Sequence, residues 1–191
     1  MTSIFAYLLS AMIAWCPISI HYYHLPSSMS IAEKDAHITA RYHSIAHDLE
    51  TVVLDTKEKA VCPKNFTSEL LCRVYTGILM LSIARYESGG FREDVDKPTG
   101  TGDHGKAHCL MQIQLRDGEE ITDRQSCFRL GLARIRESIK ACSELRSEDR
   151  LVAYASGNCN NDTGIKDSRL KVRQTNNWLK NYPFMMLGQG D

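Results

Sequence analysis

The chain has 191 residues, enough for one domain of roughly 120–150 residues with a full core and an appendage ahead of it. Its 23 basic and 23 acidic side chains cancel, which excludes a global field drawing the protein onto nucleic acid; no nucleic-acid motif is present either. No internal repeat or low-complexity tract occurs, so repeat arrays are excluded as well.

Residues 3–20 carry no charged side chain, and the first in the chain is Glu33. This stretch falls between the apolar region of a signal peptide and a full span of about 20 residues, and it lacks a basic flank. It reads as a targeting or anchoring segment. Either it is cleaved, with Ala32 a candidate position, or it stays as an anchor with His21, Tyr22, Tyr23 and His24 at the interface, residues 3–20 then associating with a membrane. Residues 25–30, with Pro26, form a polar linker, so residues 1–30 are expected to stand apart from the folded unit. Residues 31–61 then show helical spacing, with Ile38, Tyr42, Ile45, Leu49, Val52 and Val53 on one side. This is a packing helix, expected to end at Cys62-Pro63, because proline disfavours helix at the residue before it.

Cysteine usage points to compartment. Cys16 lies in the apolar segment, which leaves Cys62, Cys72, Cys109, Cys127, Cys142 and Cys159, an even number within about a hundred residues. That favours an oxidising environment, hence export. Spacing alone does not choose the pairing. Sequential pairing is the expectation, because each bridge then closes a short loop. Zinc is the competing reading, with His104, His108 and Cys109 in view; no Cys-x-x-Cys pair accompanies them, so no metal and no other cofactor is expected. Asn65-Phe66-Thr67 and Asn161-Asp162-Thr163 match the glycosylation acceptor pattern and are taken as chance.

The informative stretch follows. Residues 68–86 read as a mostly buried helix, capped by Thr67 or Ser68 with Glu69 in its first turn. A single carboxyl, Glu87, falls in its last turn, and Gly89-Gly90 supply the freedom that closes helices. A carboxyl at the negative end of a helix dipole, near apolar residues such as Leu81, Ile83 and Phe91, is set up to hold a proton and give it up as an acid. The loop beyond it, residues 91–106, is rich in glycine, proline and acids, and Asp103 lies in its Gly-Asp-His-Gly turn. Residues 110–115 read as a short strand or a helix start. Residues 129–142 form an amphipathic helix, residues 151–156 bring in Tyr154, and residues 168–181 form a last polar helix that only Leu170, Val172, Trp178 and Leu179 can dock.

Three stretches, Glu87-Ser88, then residues 105–113 (GKAHCLMQI), then residues 153–157 (AYASG), resemble the ordered signature of the soluble lytic transglycosylase and goose-type lysozyme family. Cys109 stands where that family has glycine, and Ala155 where it often has asparagine. The resemblance implies a mainly α, lysozyme-like α+β fold over residues 62–191 and an exported enzyme acting on peptidoglycan glycan strands without a cofactor. It assigns Glu87 as general acid and base, with Ser88, Gln112 and Tyr154 as substrate-binding residues and Asp103 as candidate second carboxylate. It places the Tyr154 hydroxyl on the catalytic carboxyl. In a transglycosylase Glu87 would close a 1,6-anhydro ring; a hydrolase would use a second carboxylate roughly 6.5–9.5 Å or about 5–5.5 Å away. The rival from another class is a wall-binding or virion protein that keeps the fold without the chemistry. A serine hydrolase fits less well, because Tyr86-Glu87-Ser88-Gly89-Gly90 lacks the first glycine of the nucleophile elbow.

Overall fold

The computed structural model describes residues 3–63, 66, 68–99 and 105–183. Its order is α1 (Ile4–Trp15), a 3₁₀ segment (Ile18–His24), α2 (Ile31–Leu54), α3 (Glu69–Glu87), β1 (Ala107–His108), β2 (Ile113–Gln114), α4 (Arg124–Ala141), a 3₁₀ turn (Ser147–Asp149), α5 (Val152–Ser156) and α6 (Asp162–Asn181). The protein is mainly α, and β1 and β2 pair as one antiparallel hairpin.

Helix α3 is the axis of the core. Ten residues in unbroken succession, Val74 to Ile83, are buried on every side of it, so partners are needed all round: α2 and α1 on one flank, α6 on another. Its start follows the expected chemistry, with the Ser68 hydroxyl accepting from Leu71 N–H. Thr67 and the Asn65 acceptor pattern lie outside the described residues. Asn161, the other candidate acceptor, caps α6 through its side chain instead, accepting from Gly164 N–H at 2.8 Å.

Helix α1 is where the sequence expectation is corrected. Instead of standing apart, it lies in the core, with Leu8, Ala11 and Met12 fully buried. Gly77 eases this approach: a Cβ there would come within 3.2 Å of Leu8 Cδ2, so that the leucine side chain would have to give by a few tenths of an ångström. The helix is also held at both ends. The Glu50 carboxylate accepts from Phe5 N–H at 2.8 Å, and the Tyr42 hydroxyl donates to the Cys16 carbonyl at 2.9 Å. Among the described residues no single helix is long and apolar enough to cross a membrane; α1 and the following 3₁₀ segment reach that length only as a pair bent by 65°.

Helix α2 starts on a capping box between Ser30 and Glu33 and buries all six residues expected of it. It stops at Leu54, well before Pro63. Asp55 ends it by accepting from Lys57 N–H at 3.0 Å, and the Arg73 guanidinium takes up the terminal carbonyls of Val53 and Asp55. Helix α4 begins earlier than apolar spacing indicates, because Asp123 and Ser126 form a capping box ahead of it.

Three disulfides join Cys62 to Cys72, Cys109 to Cys127 and Cys142 to Cys159, the sequential pairing, while Cys16 is a free buried thiol. A second tie fixes the loop after α3. Asp96, whose side chain is only 5% exposed, lies between the guanidiniums of Arg41 from α2 and Arg124 from α4, each at 2.9 Å. Arg41 also donates to the carbonyls of Phe91 and Arg92, and Cys109 N–H donates to the Lys97 carbonyl at 3.1 Å, so the loop and the hairpin are positioned together.

Burial of α1 in this core predicts that Leu8→Ala lowers the free energy of unfolding by about 2–5 kcal/mol, the cost of a cavity at a fully buried leucine. Denaturant titration of the full chain measures it. A loss under about 0.5 kcal/mol, typical of surface sites, would place α1 outside the folded unit.

Candidate functional site

The end of α3 presents Glu87. Gly89, Gly90 and Phe91 all take positive φ, at 62°, 93° and 63°, and Gly90 N–H donates back to the Arg85 carbonyl at 2.7 Å. The strain at Phe91 is held by its fully buried ring, edge-on to Tyr42 at 5.9 Å, and by Arg41 on its carbonyl. Ser88 builds this turn. It is buried, donates to the Ala84 carbonyl at 2.6 Å and accepts from Phe91 N–H at 2.8 Å, so its hydroxyl is engaged within the protein.

The Glu87 carboxylate meets a cation. Oε1 accepts from Nζ of Lys171 on α6, a lysine only 5% exposed, whereas the Glu87 side chain is 23% exposed. The Lys171 ammonium also lies over the Tyr154 ring, 5.8 Å from its centroid, and is thus bracketed by a carboxylate and an aromatic face. The expected apolar surround of Leu81, Ile83 and Phe91 belongs instead to the core behind the site.

Tyr154 is brought to Glu87, but through Lys171. Its hydroxyl donates to the Met111 carbonyl at 2.7 Å, not to the carboxyl, which corrects the sequence expectation. Burial pushes this phenol well above its ordinary range, and the charge of Glu87 adds to the effect. The hydroxyl therefore stays a neutral donor. Met111 sits in the turn of the hairpin and packs on Gly131 of α4, where a Cβ would fall 2.6 Å from Met111 Cε. Tyr154 thus ties the hairpin to Lys171, and Lys171 in turn meets the end of α3.

Gln112 has a different place. Cys109 and Gln112 carry positive φ, at 57° and 48°, and the Gln112 amide donates to the Cys109 carbonyl at 2.7 Å, closing its own turn. No hydrogen bond links it to Glu87 among the described residues. Asp103 and His104 lie outside the described residues. Among those described, no three His, Cys, Asp or Glu side chains come together as a metal would require, and Cys109 is committed to its disulfide.

Glu87 opens into a cavity of about 180 Å³ lined by Tyr86, Asp167, Leu170 and Lys171. Asp167, on α6, is therefore a second carboxylate at this site. Tyr86 and Leu170 are shared with a wider groove of about 540 Å³, walled by Trp15, Trp178 and Tyr182 and by the amides of Gln174, Asn177 and Asn181. Sequence reasoning passed over Lys171 and Asp167, yet a signal existed. Ser168, Lys171, Thr175 and Trp178 recur at intervals of three and four, the buried stripe of α6, whereas Leu170, expected to dock the helix, is 49% exposed.

No family model, curated protein or solved structure matches the chain. What can be said of the site rests on its own residues.

The pair alters what substitution at Glu87 does to folding. Glutamine keeps the shape but leaves a buried ammonium without its counter-charge, and breaking a buried pair from one side costs on the order of 3–5 kcal/mol. Glu87→Gln is therefore expected to be clearly less stable than wild type, and Glu87→Gln with Lys171→Met to recover most of the loss. Thermal or denaturant unfolding of the three variants reads the cycle. Additive losses would show that the two side chains do not interact.

Proposed function

We propose that this protein cleaves the β-1,4 bond between N-acetylmuramic acid and N-acetylglucosamine in peptidoglycan, with Glu87 as general acid and then base. The observation that supports the reading is a carboxyl at a helix end, Glu87, beside an open groove and joined to Tyr154 through Lys171. The groove suits a glycan: faces of Trp15, Tyr86 and Tyr182 offer surfaces for the C–H faces of sugar rings, and the amides of Asn177 and Asn181 can exchange hydrogen bonds with hydroxyl and acetamido groups. Because Trp15 belongs to this wall, the reading takes α1 as part of the mature enzyme. Export of the whole chain goes with it, in keeping with three disulfides.

The chemistry starts from Glu87, whose Oε1 accepts from Lys171 Nζ. Glu87 delivers a proton to the glycosidic oxygen as the bond from that oxygen to C1 of the muramyl residue breaks and positive charge develops on the ring. Glu87, again a carboxylate, takes the proton of the muramyl 6-hydroxyl while its oxygen bonds C1. The product is a 1,6-anhydro ring and no water is consumed.

A second reading is favoured by Asp167, which lines the same cavity as Glu87. There the two carboxyls act as in a hydrolase, and water takes the place of the 6-hydroxyl. Mass analysis of peptidoglycan fragments released by the purified protein separates the two. Anhydro-muramic ends, with Asp167→Asn retaining most of the activity, are the expected result. Reducing muramic ends, with activity lost in Asp167→Asn, would establish the hydrolase. No release at all from walls of either common chemotype would overturn the proposal.

A further inference from the structure

We propose that a second cavity, remote from Glu87, binds the apolar chain of an anionic amphiphile such as a long-chain carboxylate. The cavity has a volume of about 620 Å³ and lies where α3, α4 and α6 meet the segment around Cys62, within the range that small-molecule sites occupy. Tyr75 and Leu79 contribute to it from α3, roughly 12–18 Å along the helix from Glu87 at about 1.5 Å per residue.

Its inner wall is apolar and buried, formed by Tyr75, Leu79, Leu151 and Val172. A hydrocarbon chain laid against this wall would cover its remaining apolar surface. Tyr75 adds a polar group. Its hydroxyl has no hydrogen-bond partner among the described residues and is not among the buried unpartnered atoms, so it is reached by solvent and can donate to the oxygen of a ligand.

The rim selects charge. Arg146 and Arg150 both line the cavity, and no carboxylate pairs with either among the described residues. Asp149 makes its close ion pair with Arg169 at 2.6 Å, and the charge of Arg146 acts on it only at longer range. Arg150 donates through Nε to the Leu145 carbonyl at 3.0 Å, and no hydrogen bond from its other nitrogens occurs among the described residues. An apolar wall, a solvent-accessible tyrosine hydroxyl and two guanidiniums without an ion pair match a hydrocarbon chain ending in a carboxylate.

Titration calorimetry of the full chain with dodecanoate below its micellar concentration tests this directly. Saturable one-to-one binding is expected, weakening roughly fourfold for each methylene removed on the way to octanoate. Dodecyltrimethylammonium is expected to bind about tenfold more weakly. Arg146→Gln with Arg150→Gln should erase that preference at unchanged thermal stability, and Tyr75→Phe, which removes a single oxygen, should weaken dodecanoate several-fold. Absence of saturable binding to the wild type, equal binding of the cationic probe, or a double arginine variant that binds as tightly as the wild type would each overturn the assignment. Peptidoglycan cleavage is not a readout here, so the outcome stands apart from the role of Glu87.

Discussion

One buried ammonium organises the end of α3. Lys171 sits almost wholly out of water, and an ion so placed is tolerated only when its charge is answered. Glu87 answers it from one side and the face of Tyr154 from another. Because these partners come from α3, α5 and α6, the demand of a single cation fixes the relative placement of three elements.

The rest of the site is held by constraints of the same kind. Asp96 gathers Arg41 and Arg124 and so pins the chain beyond Glu87 to α2 and α4. Buried ionic clusters contribute little net stability compared with apolar packing; what this one supplies is position for a loop without regular structure. The disulfide from Cys109 to Cys127 then ties the hairpin to α4, and Met111 passes that placement to Tyr154 through its carbonyl. Removal of any one of these ties would loosen the aim of Glu87 without touching it.

Local chemistry was the legible part of the sequence. The Ser68 cap, the glycine closure after Glu87 and the apolar face of α2 rest on residues within a few turns of each other and were readable from spacing, whereas the disulfide pairing was expected only because sequential bridges close short loops. What stayed hidden depends on contacts between distant positions. Lys171 and Glu87 are 84 residues apart, and nothing beside either announces the other. Helix α1 was taken for a separate segment because an uncharged run of that length has the same composition in a core as in a membrane; Gly77, the residue that eases its approach, carries its meaning only opposite Leu8. The early end of α2 was missed because Pro63 is the louder signal, while Asp55 and the reach of Arg73 act quietly. Ser88 and Gln112 were legible as belonging to the site region, but as builders of its turns.

The central claim, that Glu87 is the proton donor, is tested most directly by the lytic rate of Glu87→Gln on purified peptidoglycan, taken at a temperature where its own melting curve shows it folded. The account predicts a loss on the order of 10²–10⁴-fold, the contribution of a positioned acid. A folded Glu87→Gln protein that clears peptidoglycan as fast as wild type would contradict it and leave the pair with Lys171 as a structural tie alone.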